Sequence, residues 1–153
     1  MGFVQHGGFT LERTYSASPA RVFAAFSTKE GKSRWFNCFG ELEEAEVELD
    51  FREGGRELNR LKPPGRPPHV MQGLYHHIVP NERFVLSFTL HIGERLISVS
   101  LMTVEVFQEG AGARLVVNEH GAFFEEGALA EREEGTAVGL DRLAGLLAED
   151  DRS

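Results

Sequence analysis

Asp50-Phe51-Arg52-Glu53-Gly54-Gly55-Arg56 decides the fold, because an alternating stretch runs straight into a Gly-Gly pair. Upstream, Ala45, Val47, Leu49 and Phe51 alternate with Glu44, Glu46, Glu48 and Asp50, the period of a strand with one wet face. Gly54-Gly55 supplies the positive φ or bulge that a tight reversal needs, so a second strand returns through Leu61. Lys62-Pro63-Pro64-Gly65-Arg66-Pro67-Pro68 cannot enter a central ladder, since proline has no backbone donor. It reads as a long hairpin loop, although Pro64-Gly65-Arg66-Pro67 formally matches a polyproline ligand. Beyond it, strands are expected at His69 to Val79, Arg83 to His91, Leu96 to Gln108 and Arg114 to His120. Pro80-Asn81, Gly93-Glu94 and Gly110-Ala111-Gly112 mark the turns between them.

Towards the N-terminus, Phe9 to Ser16 reads as a first strand with Leu11, Arg13 and Tyr15 on one face. Ser18 suits an N-cap and Pro19 the first helical turn, and Val22, Phe23 and Phe26 form one apolar stripe. Ser27 with Glu30 makes a capping box for a second short helix ending near Trp35. At the other end, Leu140, Leu143 and Leu147 recur at helical spacing beside Leu146. Gly135, Gly139 and Gly145 each cost a helix about 1 kcal/mol relative to Ala, so packing on the sheet must hold this element. Gly135 and Gly139 share a face, which permits either close backbone approach or a space beneath it. The whole is an α+β chain, a helix pair interrupting an antiparallel meander, with no βαβ alternation and no internal repeat. We expect residues 1–153 to form one domain.

A chain of 153 residues buries roughly 70% of its unfolded surface, enough for one core. No apolar stretch approaches the ~20 residues that cross a bilayer, and no basic flank precedes an apolar run at the N-terminus. Met1-Gly2 opens like a myristoylation signal, but His6 stands where Ser or Thr is required. The single Cys38 cannot form an internal disulfide, which fits a reducing compartment, and the cytoplasm is the expected location. A formal charge of −8 repels phosphate backbones, so nucleic acid is not an expected partner. Arg52, Arg56, Arg60, Lys62 and Arg66 nevertheless cluster, either as a solvated ribbon or as an anion-facing patch.

The order and spacing of several pieces resemble the Hsp90-ATPase-activator-homologue family of the START-like (SRPBCC) helix-grip superfamily. The pieces are Glu12-Arg13, Ser18-Pro19-Ala20-Arg21-Val22-Phe23, Arg34-Trp35-Phe36, Asp50-Phe51-Arg52 with Gly54-Gly55-Arg56, Ile78-Val79-Pro80 and Leu140-Asp141-Arg142-Leu143. The resemblance spans residues 9–148. It implies a curved antiparallel sheet around a long C-terminal helix, with two short helices after strand 1 closing a cavity. A Trp often precedes the Leu-Asp-Arg-Leu element in such proteins, whereas Thr136 occupies that place here. A smaller side chain there enlarges the pocket unless another aromatic fills it. The family shares no catalytic motif, and fold-level analogy does not transfer the co-chaperone activity behind its name.

Two registers compete after Gly55. Alternation with Leu58 inward puts Arg56 and Arg60 on its face, whereas the resemblance favours Glu57, Asn59 and Leu61 inward, the register adopted here. On the seventh strand, Leu115 and Val117 face the helix and period two carries Glu119 inward with them. A carboxylate buried without a partner has a raised pKa and serves as an acid or a ligand-orienting group; the alternative is an end-of-sheet residue reaching water or a local arginine. His76 and His77 are adjacent on a strand and cannot chelate one ion, so no metal or cofactor is expected. Cys38 lacks a legible orienting group for nucleophilic work and reads as a buried or loop thiol.

Twelve Phe are the positive signal, and Phe23, Phe26, Phe36, Phe39, Phe84, Phe88, Phe123 and Phe124 are candidates for the interior. The expected ligand-binding set is Trp35, Glu57, Asn59, Tyr75, Phe88, Glu119, Phe123 and Thr136, with His77 a weaker member and no catalytic residue. Ile97, Val99 and Leu101 make an apolar run on the opposite face, which a second copy of the chain would cover. The reading is therefore a binder of an apolar or amphipathic small molecule. A co-chaperone-type interaction module and a hydrolase or cyclase using Glu119 are the alternatives.

Overall fold

A computed structural model describes residues 2–36 and 40–152, with side chains to 150, so the readings of Cys38 and Phe39 lie outside the described residues. The chain runs β1 (Gln5–Tyr15), α1 (Pro19–Ser27), α2 (Lys29–Trp35), β2 (Glu44–Leu49), β3 (Arg56–Lys62), β4 (His69–Val79), β5 (Arg83–Ile92), β6 (Arg95–Glu109), β7 (Gly112–Phe123) and α3 (Ala128–Arg152). The strands form one curved, open antiparallel sheet in the order β1-β7-β6-β5-β4-β3-β2. The two short helices carry the chain from one edge, β1, to the other, β2. Consecutive strands pair everywhere else, and β1 closes against β7 in the register Phe9↔Glu119 and Leu11↔Val117.

Local chemistry sets most boundaries. Ser18 Oγ accepts the Arg21 amide at 3.3 Å and starts α1, with Pro19 in its first turn. The break to α2 lies one residue beyond the expected capping box. Thr28, extended at φ −118°, accepts the Gly31 amide at 3.0 Å and donates to Ala24 O at 2.8 Å, ending one helix and capping the next. Strand β1 starts earlier than expected because its pairing with β7 runs back to Gln5↔Phe123.

Strand β2 stops at Leu49, and Phe51 turns into an aromatic cluster, 4.9 Å from Tyr75, 5.4 Å from Phe84 and 5.6 Å from Phe23 between ring centres. The turn beyond needs both glycines. Gly54 has φ +84°, and a Cβ on Gly55 would lie 2.0 Å from Asp50 O. Their backbones then dock on β4, Gly54 N to Tyr75 O at 2.8 Å and Tyr75 N to Gly55 O at 3.0 Å.

Two register irregularities redirect side chains. One between Tyr75 and His77 leaves Tyr75 buried but turns both His76 and His77 to solvent, so His77 leaves the candidate set and the two rings do not divide between faces. His77 instead accepts from Arg83 Nε at 3.1 Å. The second lies between Leu90 and His91, opposite the start of β6, where Ile97 and Ser98 are both buried. Ile97 thus packs with Phe123 and Ala128 instead of lying on the outer face. Val99 and Leu101 do lie there, 43% and 49% exposed.

Helix α3 crosses the concave face of the sheet, burying Leu140, Leu143 and Leu147 against the main core. Polar ties fix its lie. Tyr15 OH donates to Leu140 O at 3.0 Å, Arg13 meets Asp141 at 2.8 Å, and Arg34 meets Asp150 at 3.0 Å. Among the described residues no helix is long and apolar enough to cross a membrane.

Candidate ligand cavity between the sheet and the long helix

Strand β3 adopts the register with Glu57, Asn59 and Leu61 inward, all buried, while Arg56 points out. Alternation then aims two polar groups at an apolar interior, and neighbouring elements must satisfy them. Helix α2 brings Lys32 over the same spot, 6% exposed, with Nζ 3.0 Å from Glu57 Oε2. Asn59 Nδ2 donates to that oxygen at 2.5 Å, and Tyr75 OH donates to Glu57 Oε1. Burial alone would push the Glu57 carboxyl up, but the Lys32 charge and the three donors outweigh it and hold the group below the usual carboxylate range. Burial, then the Glu57 charge, raises the Tyr75 phenol, which stays protonated and donating.

A second ion pair joins a buried carboxylate on β7 to a half-buried arginine on α3. Glu119 on β7 is fully buried; its Oε2 accepts from Ser100 Oγ at 2.8 Å and from Arg132 Nη1 of α3 at 2.5 Å. Arg132 Nη2 donates to Ser98 Oγ at 2.5 Å, and its guanidinium lies 5.2 Å from the Phe88 ring centre and 5.4 Å from that of Phe123. Burial pushes the Glu119 carboxyl up, and the Arg132 charge with the two hydrogen bonds offsets this only in part. Glu119 is therefore a paired interior carboxylate, held by an arginine from its own end of the fold.

Between the two pairs lies a cavity of about 280 Å³. Its walls are mostly apolar: Trp35 and Phe36 from α2, Met71, Leu86, Phe88 and Leu90 from the central strands, and Leu140 from α3. Exposed Arg66, on the β3–β4 loop, and exposed Glu131, in the first turns of α3, stand where it meets the surface. Two buried acceptors on lining residues, Asn59 Oδ1 and Glu119 Oε1, have no hydrogen-bond partner among the described residues. No three His, Cys, Asp or Glu side chains among those residues gather as a metal would require.

Of the eight residues expected at the site, Trp35, Asn59, Phe88, Glu119 and Thr136 line this cavity. Glu57, Tyr75 and Phe123 do not. Glu57 is buried beside Asn59 and accepts from it, Tyr75 is buried and donates to Glu57, and Phe123 is fully buried beneath Arg132. Phe23, Phe26 and Phe84 belong to the core, and Phe36 and Phe124 are only half-buried. Gly135 and Gly139 both line the hollow, yet a Cβ on Gly139 would also stand 3.2 Å from the Trp35 ring, so close approach and cavity lining coexist. Thr136 leaves open the space that a larger side chain would occupy, its Oγ1 turned back to Arg132 O at 2.8 Å.

Lys32 and Arg132 escaped the sequence reading. Each carried a signal: Lys32 is one turn before Trp35, and Arg132 shares a helix face with Gly135, Thr136 and Gly139. Extending the apolar stripe of α3 towards its N-terminus would have placed a cation over the sheet.

The comparisons with known proteins agree with this geometry. The model of the family described as Activator of Hsp90 ATPase homolog 1-like protein matches residues 16–148. The chain belongs to that family. The Mll3558 protein of Rhizobium loti is 43% identical over 94% of this chain and 98% of its own, with a TM-score of 0.84. An uncharacterised protein from Rhizobium leguminosarum is 35% identical, covers 97% of this chain and 99% of its own, and superposes with a TM-score of 0.86. The CV1439 protein of Chromobacterium violaceum, 23% identical over 92% of this chain and 96% of its own, shares the fold with a TM-score of 0.75. No curated protein matches the chain. The helix-grip architecture of the START-like superfamily is thus established for this family member, as its element order and sheet topology require.

Proposed function

We propose that this family member binds an apolar or amphipathic small molecule in the cavity between the sheet and α3. The observation that carries the reading is the hollow itself: about 280 Å³, walled mainly by apolar side chains, with Asn59 and Glu119 among its lining residues, each holding a buried oxygen that has no partner among the described residues. Small-molecule sites combine this apolar lining with a few placed polar groups, and their volumes begin at roughly 300 Å³. A ligand present at 100 times its dissociation constant adds ~2.7 kcal/mol to the native state. A thermal-shift screen of hydrophobic compounds reads that gain, and native mass spectrometry of gently purified protein reads any compound retained. No shift across the screen, together with an empty mass spectrum, removes the proposal.

Stimulation of a chaperone ATPase is the second reading, favoured by the family's description alone. Unchanged chaperone turnover across a concentration series of this protein counts against it. The outer face of β6, with Leu96, Val99 and Leu101 exposed, is the surface a second copy would cover, and the same mass spectrum counts subunits.

A further inference from the structure

We infer that the compound taken by the cavity is uncharged and ends in a hydroxyl group, seated on Glu119 Oε1 and Arg132. The inference rests on the binding proposal and specifies the ligand's polar end. On two of the lining residues, buried oxygens have no hydrogen-bond partner among the described residues, and these atoms, Asn59 Oδ1 and Glu119 Oε1, are acceptors. The ligand must therefore donate. A ketone, ether or ester leaves Glu119 Oε1 buried without a partner, which is the costly half of hydrogen-bond exchange.

Glu119 narrows the choice further. Its Oε2 is occupied by Ser100 and Arg132, so a ligand donor meets Oε1. Arg132 has five N–H donors, and the bonds to Glu119 and Ser98 engage one on each terminal nitrogen. A hydroxyl oxygen can donate to Oε1 and accept from the guanidinium with a single atom. A carboxylate cannot donate, and it meets the Glu119 charge; an ammonium cannot accept. Because Lys32 is paired with Glu57 and Arg132 with Glu119, a charged ligand finds no unmatched counter-ion in either pair. The Trp35 and Phe88 rings supply flat apolar walls for the remainder of the molecule.

The test is a matched series titrated calorimetrically into the full chain at pH 7: 4-propylphenol, its methyl ether 4-propylanisole, propylbenzene and 4-propylbenzoate. The phenol should bind about tenfold more tightly than the ether or the hydrocarbon, with the benzoate weakest. If ether or hydrocarbon binds as well as the phenol, the hydroxyl inference fails while the binding proposal stands. If no compound binds, the hydroxyl inference fails, and the thermal-shift screen with the mass spectrum decides the binding proposal. In Glu119→Gln, the amide turns its carbonyl to Arg132 and its NH2 towards the cavity, so the phenol loses its advantage over the ether. An unchanged preference in a folded variant overturns the seat on Glu119. Should that variant not fold, the series on the unaltered protein decides.

Discussion

Replacing Lys32 with Met isolates the energetics of the interior ion pair. Lys32 and Glu57 have side chains 8% and 0% exposed, so solvent screening gives little relief when one partner is lost. Removing one member of a buried pair costs about 3–5 kcal/mol, because the other charge stays buried without compensation. Here the low end, about 3 kcal/mol, is expected at pH 7, since Tyr75 and Asn59 still donate to Glu57.

The pH dependence should invert as well. In the unaltered protein the folded pKa of Glu57 is lowered, so its stabilisation is present above the unfolded value of ~4.3 and is lost as pH falls through the folded pKa. Without Lys32, burial prevails and the folded pKa moves above the unfolded one. Folding then favours the protonated carboxyl, so stability declines as pH rises from ~4.3 through the raised pKa. Urea unfolding of both proteins, followed by circular dichroism at several pH values from 5 to 8, gives the difference directly. A loss below about 1 kcal/mol at pH 7, or one that does not grow between pH 5 and 7, would refute the reasoning.

Four further variants test the same geometry. Thr136→Trp should fill the hollow and abolish ligand-induced thermal shifts while circular dichroism stays native; undiminished shifts would show that binding occurs elsewhere. Gly145→Ala should stabilise by about 0.5–1 kcal/mol, because its Cβ meets nothing within 4 Å. Gly139→Ala should gain less or lose, since the Trp35 ring 3.2 Å away is pinned by its Nε1 bond to Ala25 O at 2.8 Å; equal melting temperatures for the two variants would contradict this. Tyr15→Phe removes the buried bond to Leu140 O and should cost about 1 kcal/mol in chemical denaturation, with no change in the slope against denaturant.

Much of the fold was legible because its determinants are local. The Ser18-Pro19 cap, the Gly54-Gly55 turn and the two-residue period of β7 each act within a few residues, and each produced the element expected. Where the reading slipped, a contact from elsewhere prevailed. Thr28 took the cap from Ser27, because its extended backbone can end α1 and start α2 at once. The irregularity after Tyr75 turned His77 to solvent, which simple alternation could not foresee. Glu119 was placed inward correctly by period, but its partner was not named, because Arg132 reaches it only once α3 lies across the sheet.

The amino-acid order by itself settled which segments are strand or helix and, for α1, α3 and β7, which face is apolar, since backbone sterics, caps and periodicity operate over one or two turns. Only the tertiary structure decided that Lys32 neutralises Glu57, that Arg132 neutralises Glu119, and that about 280 Å³ stays open between them. Those outcomes depend on how far α2 and α3 stand from the sheet. That spacing is set by the combined volume of side chains from several elements, and no single stretch of chain encodes it.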